Sequence, residues 1–244
     1  MRKFGLIGYP LSHSFSKNYF SEKFIKEQIE GCSYEAYPLE SIDRLPALLL
    51  NLGPELIGLN VTIPYKQAVI PYLDMLDPAA LEIGAINTIH FSTLGTKGYN
   101  TDAIGFETSL AQHLDQPVSR ALILGTGGAS RAVQYVLKKL GIEYRLVSRQ
   151  KGPETLTYEE INDELLQSSS LIINTTPVGM YPKLHDCPPI NYEALGPDHI
   201  LYDLIYNPAQ TLFLSQGEAR SCRTINGLDM LYQQAEASWT IWNS

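Results

Sequence analysis

The stretch ALILGTGGASRAVQYVLKKLG, residues 121–141, runs from an apolar segment through a glycine-rich turn into a helical pattern. Gly125, Gly127 and Gly128 lie in the turn, and apolar residues then recur at spacings of three and four. Glycine permits the tight turn, and the free backbone amides at the start of the following helix face an anion. A strand, such a turn and a helix in succession predict the phosphate-binding unit of a dinucleotide-binding fold.

The next strand of this unit, YRLVSR at residues 144–149, bears on the choice of cofactor. Cofactors with a free ribose hydroxyl are usually held by an acidic residue at this strand's end, about 20 residues beyond the glycines. Ser148 and Arg149 stand there instead, and Lys151 follows. A guanidinium suits a 2′-phosphate through charge-assisted hydrogen bonds, so the sequence favours NADP over NAD. The alternative is that Arg149 is a solvated surface arginine.

Short apolar runs alternate with helical patterns along the whole chain, which is typical of mostly parallel sheets wrapped by helices. The runs form two groups on either side of Pro117, and helices are expected at residues 102–114 and 228–242. A domain boundary near the first of these helices is therefore expected. Strands are predicted at residues 3–7, 33–37, 56–62, 85–91, 121–124, 144–147, 171–174 and 200–204.

Composition restricts the class of protein. The chain has 244 residues, of which 44% are apolar, enough for one large or two small packed domains. Its 18 basic and 26 acidic residues give a net charge of −8, which repels nucleic acid and acidic membranes. The cysteines at positions 32, 187 and 222 have no metal-ligand spacing and favour a reducing cytoplasm. No segment resembles a signal peptide or reaches bilayer length.

The motif NVTIPYK, residues 60–66, places a lysine just beyond an apolar strand. If Pro64 opens a helix, the positive end of the helix dipole lowers the pKa of Lys66. A lowered lysine pKa suits proton transfer near neutral pH. The alternative is a solvated surface lysine, which is the commoner case for a lysine considered alone.

Other polar residues also stand at the ends of apolar runs. Asp102 lies in GYNTDAIGF, where it either caps the following helix or partners an acid such as Lys66. Asn60 and Asn87 each close a turn or offer an amide to a ligand. Open α/β sheets bind ligands at their strand ends, so these groups are expected to form one site.

Seven motifs in this order resemble the shikimate dehydrogenases of aromatic amino-acid biosynthesis, and the resemblance spans nearly the whole chain. It implies NADPH-dependent reduction of 3-dehydroshikimate to shikimate by a two-domain α/β protein with a cleft between the domains. The implied domains are a substrate-binding and catalytic domain (1–102), a Rossmann-type NADP-binding domain (103–220) and a C-terminal helix returning to the first domain (221–244). The motifs are GYPLSHSFS, NVTIPYK, GAINT, NTD, GTGGASR, NTTPVGM and GLDMLYQQA.

The resemblance also implies a role for individual residues. Lys66 donates a proton to the substrate, and Asp102 orients Lys66 and a substrate hydroxyl. No metal ion is implied. Substrate binding is assigned to Ser14, Ser16, Thr62, Asn87, Asp102, Tyr206 and Gln234. Cofactor binding is assigned to Gly125, Thr126, Gly127, Gly128, Ala129, Ser148, Arg149, Leu204, Gly227 and Met230.

The chain departs from the family pattern at Lys17, where proline is usual, and at Ser148, where asparagine is usual. The segment after Arg149 is shorter than is typical, and so is the tail. Two alternatives are retained: a quinate/shikimate dehydrogenase that uses NAD, which Arg149 disfavours, and a non-catalytic ligand sensor on the same fold, which intact Lys66 and Asp102 disfavour. The expected partners are small molecules, without nucleic acid or membrane, and the protein is expected to be a monomer or homodimer.

Overall fold

The computed structural model describes residues 1–11, 15–114 and 116–244. Ser14, one of the expected substrate-binding residues, lies outside the described residues. Contacts divide the chain into two compact units. The first unit comprises Met1–Thr101 together with Ala235–Ser244, and the second comprises Asp102–Gln234.

The first unit is built on a mixed sheet of six described strands in the order β2-β1-β3-β5-β6-β4. The neighbours β2 and β3 run parallel to β1, whereas β5 is antiparallel to both β3 and β6. The strands are β1 (Arg2–Gly8), β2 (Cys32–Pro38), β3 (Leu56–Val61), β4 (Met75–Leu76), β5 (Thr88–Ser92) and β6 (Gly95–Tyr99). The helices of this unit are α1 (Phe15–Lys26), α2 (Leu45–Leu52) and α3 (Pro78–Ile83).

An aromatic core lies on one face of this sheet and includes the end of the last helix, α8 (Leu228–Trp242). Trp242 is 2% exposed, and its indole nitrogen donates a hydrogen bond of 3.0 Å to the carbonyl oxygen of Ile89. A Cβ atom placed on Gly58 would lie 2.1 Å from the same indole nitrogen. Glycine within β3 therefore makes room for the tryptophan.

The second unit is built on a six-stranded, fully parallel sheet in the order β12-β11-β10-β7-β8-β9. When these six strands are numbered along the chain and the sheet is read from its β9 edge, the order is 3-2-1-4-5-6. This is the order of the Rossmann fold, so the predicted fold class is confirmed. The strands are β7 (Arg120–Leu124), β8 (Glu143–Ser148), β9 (Thr155–Thr157), β10 (Leu171–Asn174), β11 (Ile200–Asp203) and β12 (Arg223–Ile225). The helices are α4 (Thr101–His113), α5 (Gly128–Lys139), α6 (Asp163–Gln167), α7 (Leu212–Glu218) and the first part of α8.

Each strand predicted from the sequence is present, but four further strands were not predicted: β4, β6, β9 and β12. These strands have two to five residues, and β6 reads GTKGY, which lacks the apolar alternation that identifies a strand. Their pairing with neighbouring strands, rather than their own composition, keeps them in the sheets. In the described part of the chain, no helix is long and apolar enough to cross a bilayer.

Candidate active site

Backbone hydrogen bonds bring the polar motifs of the first unit together. The amide of Val61 donates to the carbonyl oxygen of Asn87 at 2.8 Å, and the amide of Ile86 donates to the carbonyl oxygen of Lys66 at 2.6 Å. The amide of Thr62 donates to the carbonyl oxygen of Ile7 at 2.9 Å. Three predicted site residues, Thr62, Lys66 and Asn87, therefore lie in neighbouring segments at the ends of β1 and β3.

The expectation that Pro64 opens a helix is wrong. Residues 62–69 form a series of turns, in which the amide of Tyr65 donates to the carbonyl oxygen of Thr62 at 2.9 Å. One bond of helical spacing follows, from Val69 to Tyr65, and then the chain enters a 3₁₀ turn at Ile70–Tyr72. A single helical turn loses the conformational entropy of several residues for one hydrogen bond, and no further residues follow here to add bonds at lower cost. A regular helix dipole therefore does not act on Lys66.

Asn87 joins the strand ends to the start of α4. Its Oδ1 accepts a hydrogen bond of 2.6 Å from the backbone amide of Thr101, the first residue of α4, and its Nδ2 donates to the Thr101 hydroxyl at 2.9 Å. The free amides at a helix start need such acceptors. Asn87 is 3% exposed and Asp102, the second residue of α4, is 8% exposed. The Asn87 side chain thus fixes Thr101, the residue that begins α4.

Ser16 and Asn60 belong to the same polar region of the first unit. Ser16, near the start of α1, hydrogen-bonds to the hydroxyl of Tyr34, which donates to Asn60 Oδ1 at 2.7 Å. Burial raises the pKa of Tyr34 above its ordinary value, with Ser16 acting in the opposite direction. Asn60 Nδ2 donates to the Asn87 carbonyl oxygen at 3.2 Å. The same Nδ2 also donates to the hydroxyls of Thr88 and Ser238, so both of its N–H groups are used within the protein, which favours a structural role for Asn60.

The glycine-rich turn of the second unit fits a dinucleotide pyrophosphate. Gly125 has φ +111°, and a Cβ on it would lie 2.7 Å from Thr175 Oγ1. Apart from the glycine, its two chain neighbours and the adjoining backbone of α5, no described atom lies within 4 Å of a Cβ placed on Gly127 or Gly128. The backbone at the start of α5 is therefore open to a ligand. Within the described chain, no side chain caps α5 and no acidic residue stands in its first turn. The amides from Gly127 to Ala129 are thus available to an anion.

Thr175, which was not predicted from the sequence as a site residue, lies beside this turn. Its amide and hydroxyl donate to the carbonyl oxygen of Leu124 at 2.9 and 2.8 Å, which joins the ends of β7 and β10. These strands flank the point where the strand order reverses, which is where parallel α/β sheets bind ligands. The motif NTTPVGM was recognised in the sequence, but only the pairing of β7 with β10 shows where it lies.

Arg149 follows β8 directly and is exposed, and Ser148 is the last residue of that strand. Arg149 lies close enough to Tyr158 to oppose the rise in the pKa of Tyr158 that burial causes. Lys151, expected as a second cation for the 2′-phosphate, pairs with Glu160. The short segment between β8 and β10 contains only β9, a 3₁₀ turn at Tyr158–Glu160 and the five-residue α6 among its described elements.

The residues expected near the nicotinamide lie in the second unit. A Cβ on Gly227 would lie 2.1 Å from the carbonyl oxygen of Leu204, so glycine is needed for this close approach. Met230 is buried, and a Cβ on Gly105 of α4 would lie 2.5 Å from its carbonyl oxygen. Gln234 Nε2 donates to the Leu231 carbonyl oxygen at 2.9 Å.

Tyr206, expected near the substrate carboxylate, is 36% exposed, and burial raises its pKa. It belongs to the second unit, as does Gln234, whereas Ser16, Thr62 and Lys66 belong to the first. The roles expected for these residues stay predictions.

A buried carboxylate that was not predicted, Asp203 at the end of β11, holds this part of the second unit together. Its Oδ1 accepts hydrogen bonds of 3.0 Å from Asn174 Nδ2 and from the Ile205 amide, and its Oδ2 accepts one of 2.6 Å from the Thr211 hydroxyl. Its hydrogen-bonding partners among the described residues are all neutral. Burial raises the pKa of Asp203 to about 6, although these three hydrogen bonds act in the opposite direction.

This raised pKa predicts a pH-dependent contribution to stability. The folded protein holds a proton on Asp203 that the unfolded chain, with an ordinary pKa of 3.8, has already released between pH 4 and 6. The free energy of unfolding contributed by this group therefore falls as the pH rises through that window. We expect the difference in unfolding free energy, wild type minus Asp203→Asn, to fall by at least about 1 kcal/mol between pH 4 and 7. Urea denaturation across this range measures it, and a constant difference would contradict the assignment.

Comparisons with known proteins identify relatives for the whole chain. A family profile described as the shikimate dehydrogenase substrate binding domain matches residues 6–89. A shikimate dehydrogenase (NADP(+)) of Clostridium beijerinckii is 40% identical over 256 residues, covering 99% of this chain and 92% of the relative.

Solved structures show the same likeness. Shikimate 5-dehydrogenase from Thermus thermophilus, in complex with NADP(H) and shikimate, has a TM-score of 0.88 at 31% identity and covers 99% of this chain and 93% of its own. Quinate dehydrogenase from Corynebacterium glutamicum, in complex with NAD, has a TM-score of 0.87 at 25% identity, with coverage of 99% and 93%.

Proposed function

Since this chain belongs to the shikimate dehydrogenase family, we propose that it catalyses the reversible reduction of 3-dehydroshikimate to shikimate with NADPH. The observation that carries the proposal is similarity over nearly the full chain together with the presence of Lys66 and Asp102 in their motifs. We also propose that residues 1–102 bind the substrate and that residues 103–220 bind NADP. The three cysteines are free, which supports the proposal of a reducing compartment, the cytoplasm.

The polar residues of the first unit suit the substrate. Shikimate carries one carboxylate and several hydroxyls on a ring, and each needs a hydrogen-bonding partner once it leaves water. Ser16, which stands at the start of α1, supplies a hydroxyl for the carboxylate. Thr62 and Asn87 supply a hydroxyl and an amide for the ring hydroxyls. Asp102, the residue at which the second unit begins, accepts a hydrogen bond from one of these hydroxyls.

Lys66 provides the acid for the reduction. When bound, the nicotinamide of NADPH supplies the hydride to the C3 carbonyl carbon of the substrate. Negative charge then develops on the carbonyl oxygen, and the ammonium of Lys66 stabilises this charge and donates the proton to that oxygen. In the reverse direction the neutral amine accepts the proton from the shikimate hydroxyl.

The glycine-rich turn and the end of β8 hold the cofactor. The open amides of Gly127 and Gly128 bind the pyrophosphate, because a helix start favours an anion. Arg149 binds the 2′-phosphate through its guanidinium. Binding of the 2′-phosphate by Arg149 favours NADP over NAD, in agreement with the names of relatives that are 34–40% identical over 97–99% of this chain.

Oxidation of NADPH by 3-dehydroshikimate, followed by loss of NADPH absorbance with the purified protein, tests the proposal directly. We expect turnover with this pair and a lower kcat/KM when NADH replaces NADPH or when quinate and NADP replace shikimate and NADP in the reverse assay. The assay with quinate is necessary because the structure is similar to that of a quinate dehydrogenase. If quinate with NAD turned over faster than shikimate with NADP, the protein would be assigned as a quinate dehydrogenase that uses NAD. Binding of shikimate by calorimetry without turnover of any pair would identify a ligand sensor instead.

A further inference from the structure

Three hydroxyl groups form a closed triangle inside the first unit. The Thr88 and Ser238 hydroxyl oxygens are 2.7 Å apart, those of Thr101 and Ser238 are 3.1 Å apart, and those of Thr88 and Thr101 are 3.2 Å apart. All three residues are fully buried. Each hydroxyl can donate once and accept twice, so the triangle can be satisfied internally and still bind further groups.

Two amides extend the triangle toward the proposed substrate site. Asn60 Nδ2 donates to Ser238 at 3.0 Å and to Thr88 at 3.1 Å. Asn87 Nδ2 donates to Thr101 at 2.9 Å, while Asn87 Oδ1 accepts the Thr101 backbone amide at 2.6 Å. In a buried, low-dielectric network each bond polarises the next, so the position of one member depends on the others. The Thr88 hydroxyl also donates to Asn87 Oδ1 at 3.3 Å. The Asn87 amide is therefore held through Thr101 and Thr88, and both of these hydroxyls are held in turn by Ser238.

Ser238 is the member of the network that comes from a distant part of the chain. Ser238 lies on α8 and is separated by 137 residues from Thr101 and by 150 residues from Thr88. On the same helix, Ala235 and Trp242 are buried at spacings of three and four from it, so packing alone would accept an alanine at this position. A buried hydroxyl costs free energy unless it is hydrogen-bonded, and its value then lies in fixing one arrangement of its partners.

We infer that Ser238 is a positioning residue for substrate binding, which acts through the Thr101 and Thr88 hydroxyls on the Asn87 side chain. The inference rests on the proposed function, because it takes Asn87 as a ligand of a substrate hydroxyl. Ser238 touches neither substrate nor cofactor in this account. Its hydroxyl selects the orientation in which Asn87 holds the first turn of α4 and presents its amide to the ring.

Substitution Ser238→Ala removes one corner of the triangle and leaves the helix backbone unchanged. We expect the KM for 3-dehydroshikimate to rise roughly fivefold, the scale of one neutral hydrogen bond, while the KM for NADPH changes less than about twofold. A double-mutant cycle, which compares the KM values of Ser238→Ala, Asn87→Ala and the double variant, shows whether Ser238 acts through Asn87. If Ser238 acts through Asn87, the double variant has the same KM as Asn87→Ala alone. Equal changes in both KM values, or additive effects in the cycle, would overturn the inference.

A matched control separates positioning from a general loss of packing. Ser109→Ala removes another fully buried serine hydroxyl, one that accepts a hydrogen bond of 2.8 Å from Tyr202 in the second unit. We expect a similar loss of thermal stability from both alanine variants but no rise in the substrate KM from Ser109→Ala. Ser238→Thr, which restores a hydroxyl, is expected to recover most of the substrate affinity. A rise in KM with the Ser109 variant would assign the effect to stability.

A readout independent of catalysis keeps the inference separate from the proposed function. The side-chain amide resonances of Asn87, assigned by their loss in Asn87→Ala, are expected to shift in Ser238→Ala without any ligand. Unchanged resonances would overturn the inference even if the wild type is active. A wild type that fails to reduce 3-dehydroshikimate while its Asn87 resonances do shift would overturn only the proposed function and the link to substrate.

Discussion

Lys66→Ala is expected to lower kcat for reduction of 3-dehydroshikimate by roughly two to four powers of ten, with a much smaller change in KM. The reason is that the lysine ammonium acts on the oxygen only as charge develops there, so its loss removes stabilisation of the transition state rather than of the bound substrate. Stopped-flow measurement under single-turnover conditions shows whether the loss lies in the chemical step. A folded variant with near-normal kcat would remove Lys66 from the mechanism.

Two further lysine variants make this result specific. Lys66→Arg retains the positive charge but holds its proton too tightly to act as an acid near neutral pH, so we expect it to stay far below wild type. Lys97→Ala removes a half-exposed lysine of the same unit, on β6, and is expected to leave kcat within about twofold. High activity in Lys66→Arg would show that charge alone is required and that the proton comes from another group.

Arg149→Ala is expected to reduce the preference for NADP over NAD, expressed as the ratio of kcat/KM values, by about 1.5 to 3 kcal/mol. This is the scale of a charge-assisted hydrogen bond to the 2′-phosphate. Arg149 is exposed and Ser148 replaces the usual asparagine, so solvent screening places the expected loss at the lower end, roughly tenfold. Steady-state assays with both cofactors measure the ratio.

The same strand offers a control for general electrostatics. Arg145 is an exposed residue of β8, and Arg145→Ala removes the same charge without touching the strand end. We expect no change in the cofactor ratio from it, whereas Arg149→Asp should repel the phosphate, accept the ribose diol and lower the ratio further than alanine does. If Arg145→Ala and Arg149→Ala shift the ratio equally, the preference reflects overall charge and not recognition at this strand end.

The parts of the site that the sequence could predict are those set by local geometry. The turn at Gly125–Gly128 depends on residues a few positions apart, and its strand and helix follow from periodicity on either side. Arg149 could be selected as a candidate because the distance from the turn to the end of the next strand is nearly constant in this fold, and its role stays a prediction. The helix expected after Pro64 was wrong because a proline in a tight turn and a proline in the first turn of a helix have the same local sequence.

The parts that the sequence could not predict depend on contacts between distant segments. The bonds of Ser238 cross more than 130 residues, and those of Asp203 join three separate segments of the second unit. One signal was available: Ser238 is a polar residue on the apolar stripe that includes Ala235 and Trp242. Such an interruption indicates a buried hydrogen bond, but the helix alone does not reveal its partner.

The packing of the Trp242 indole against Gly58 has a consequence for the order in which the protein folds during synthesis. The strands β1 to β6 leave the ribosome first, yet the indole that fills the space above Gly58 follows only after the whole second unit has been made. Until then the apolar faces of Phe4, Phe20 and Tyr34 lack their last neighbour and stay accessible to chaperones or to other nascent chains. The sheet of the first unit is therefore the first to be made, but its core is completed only when Trp242 is available.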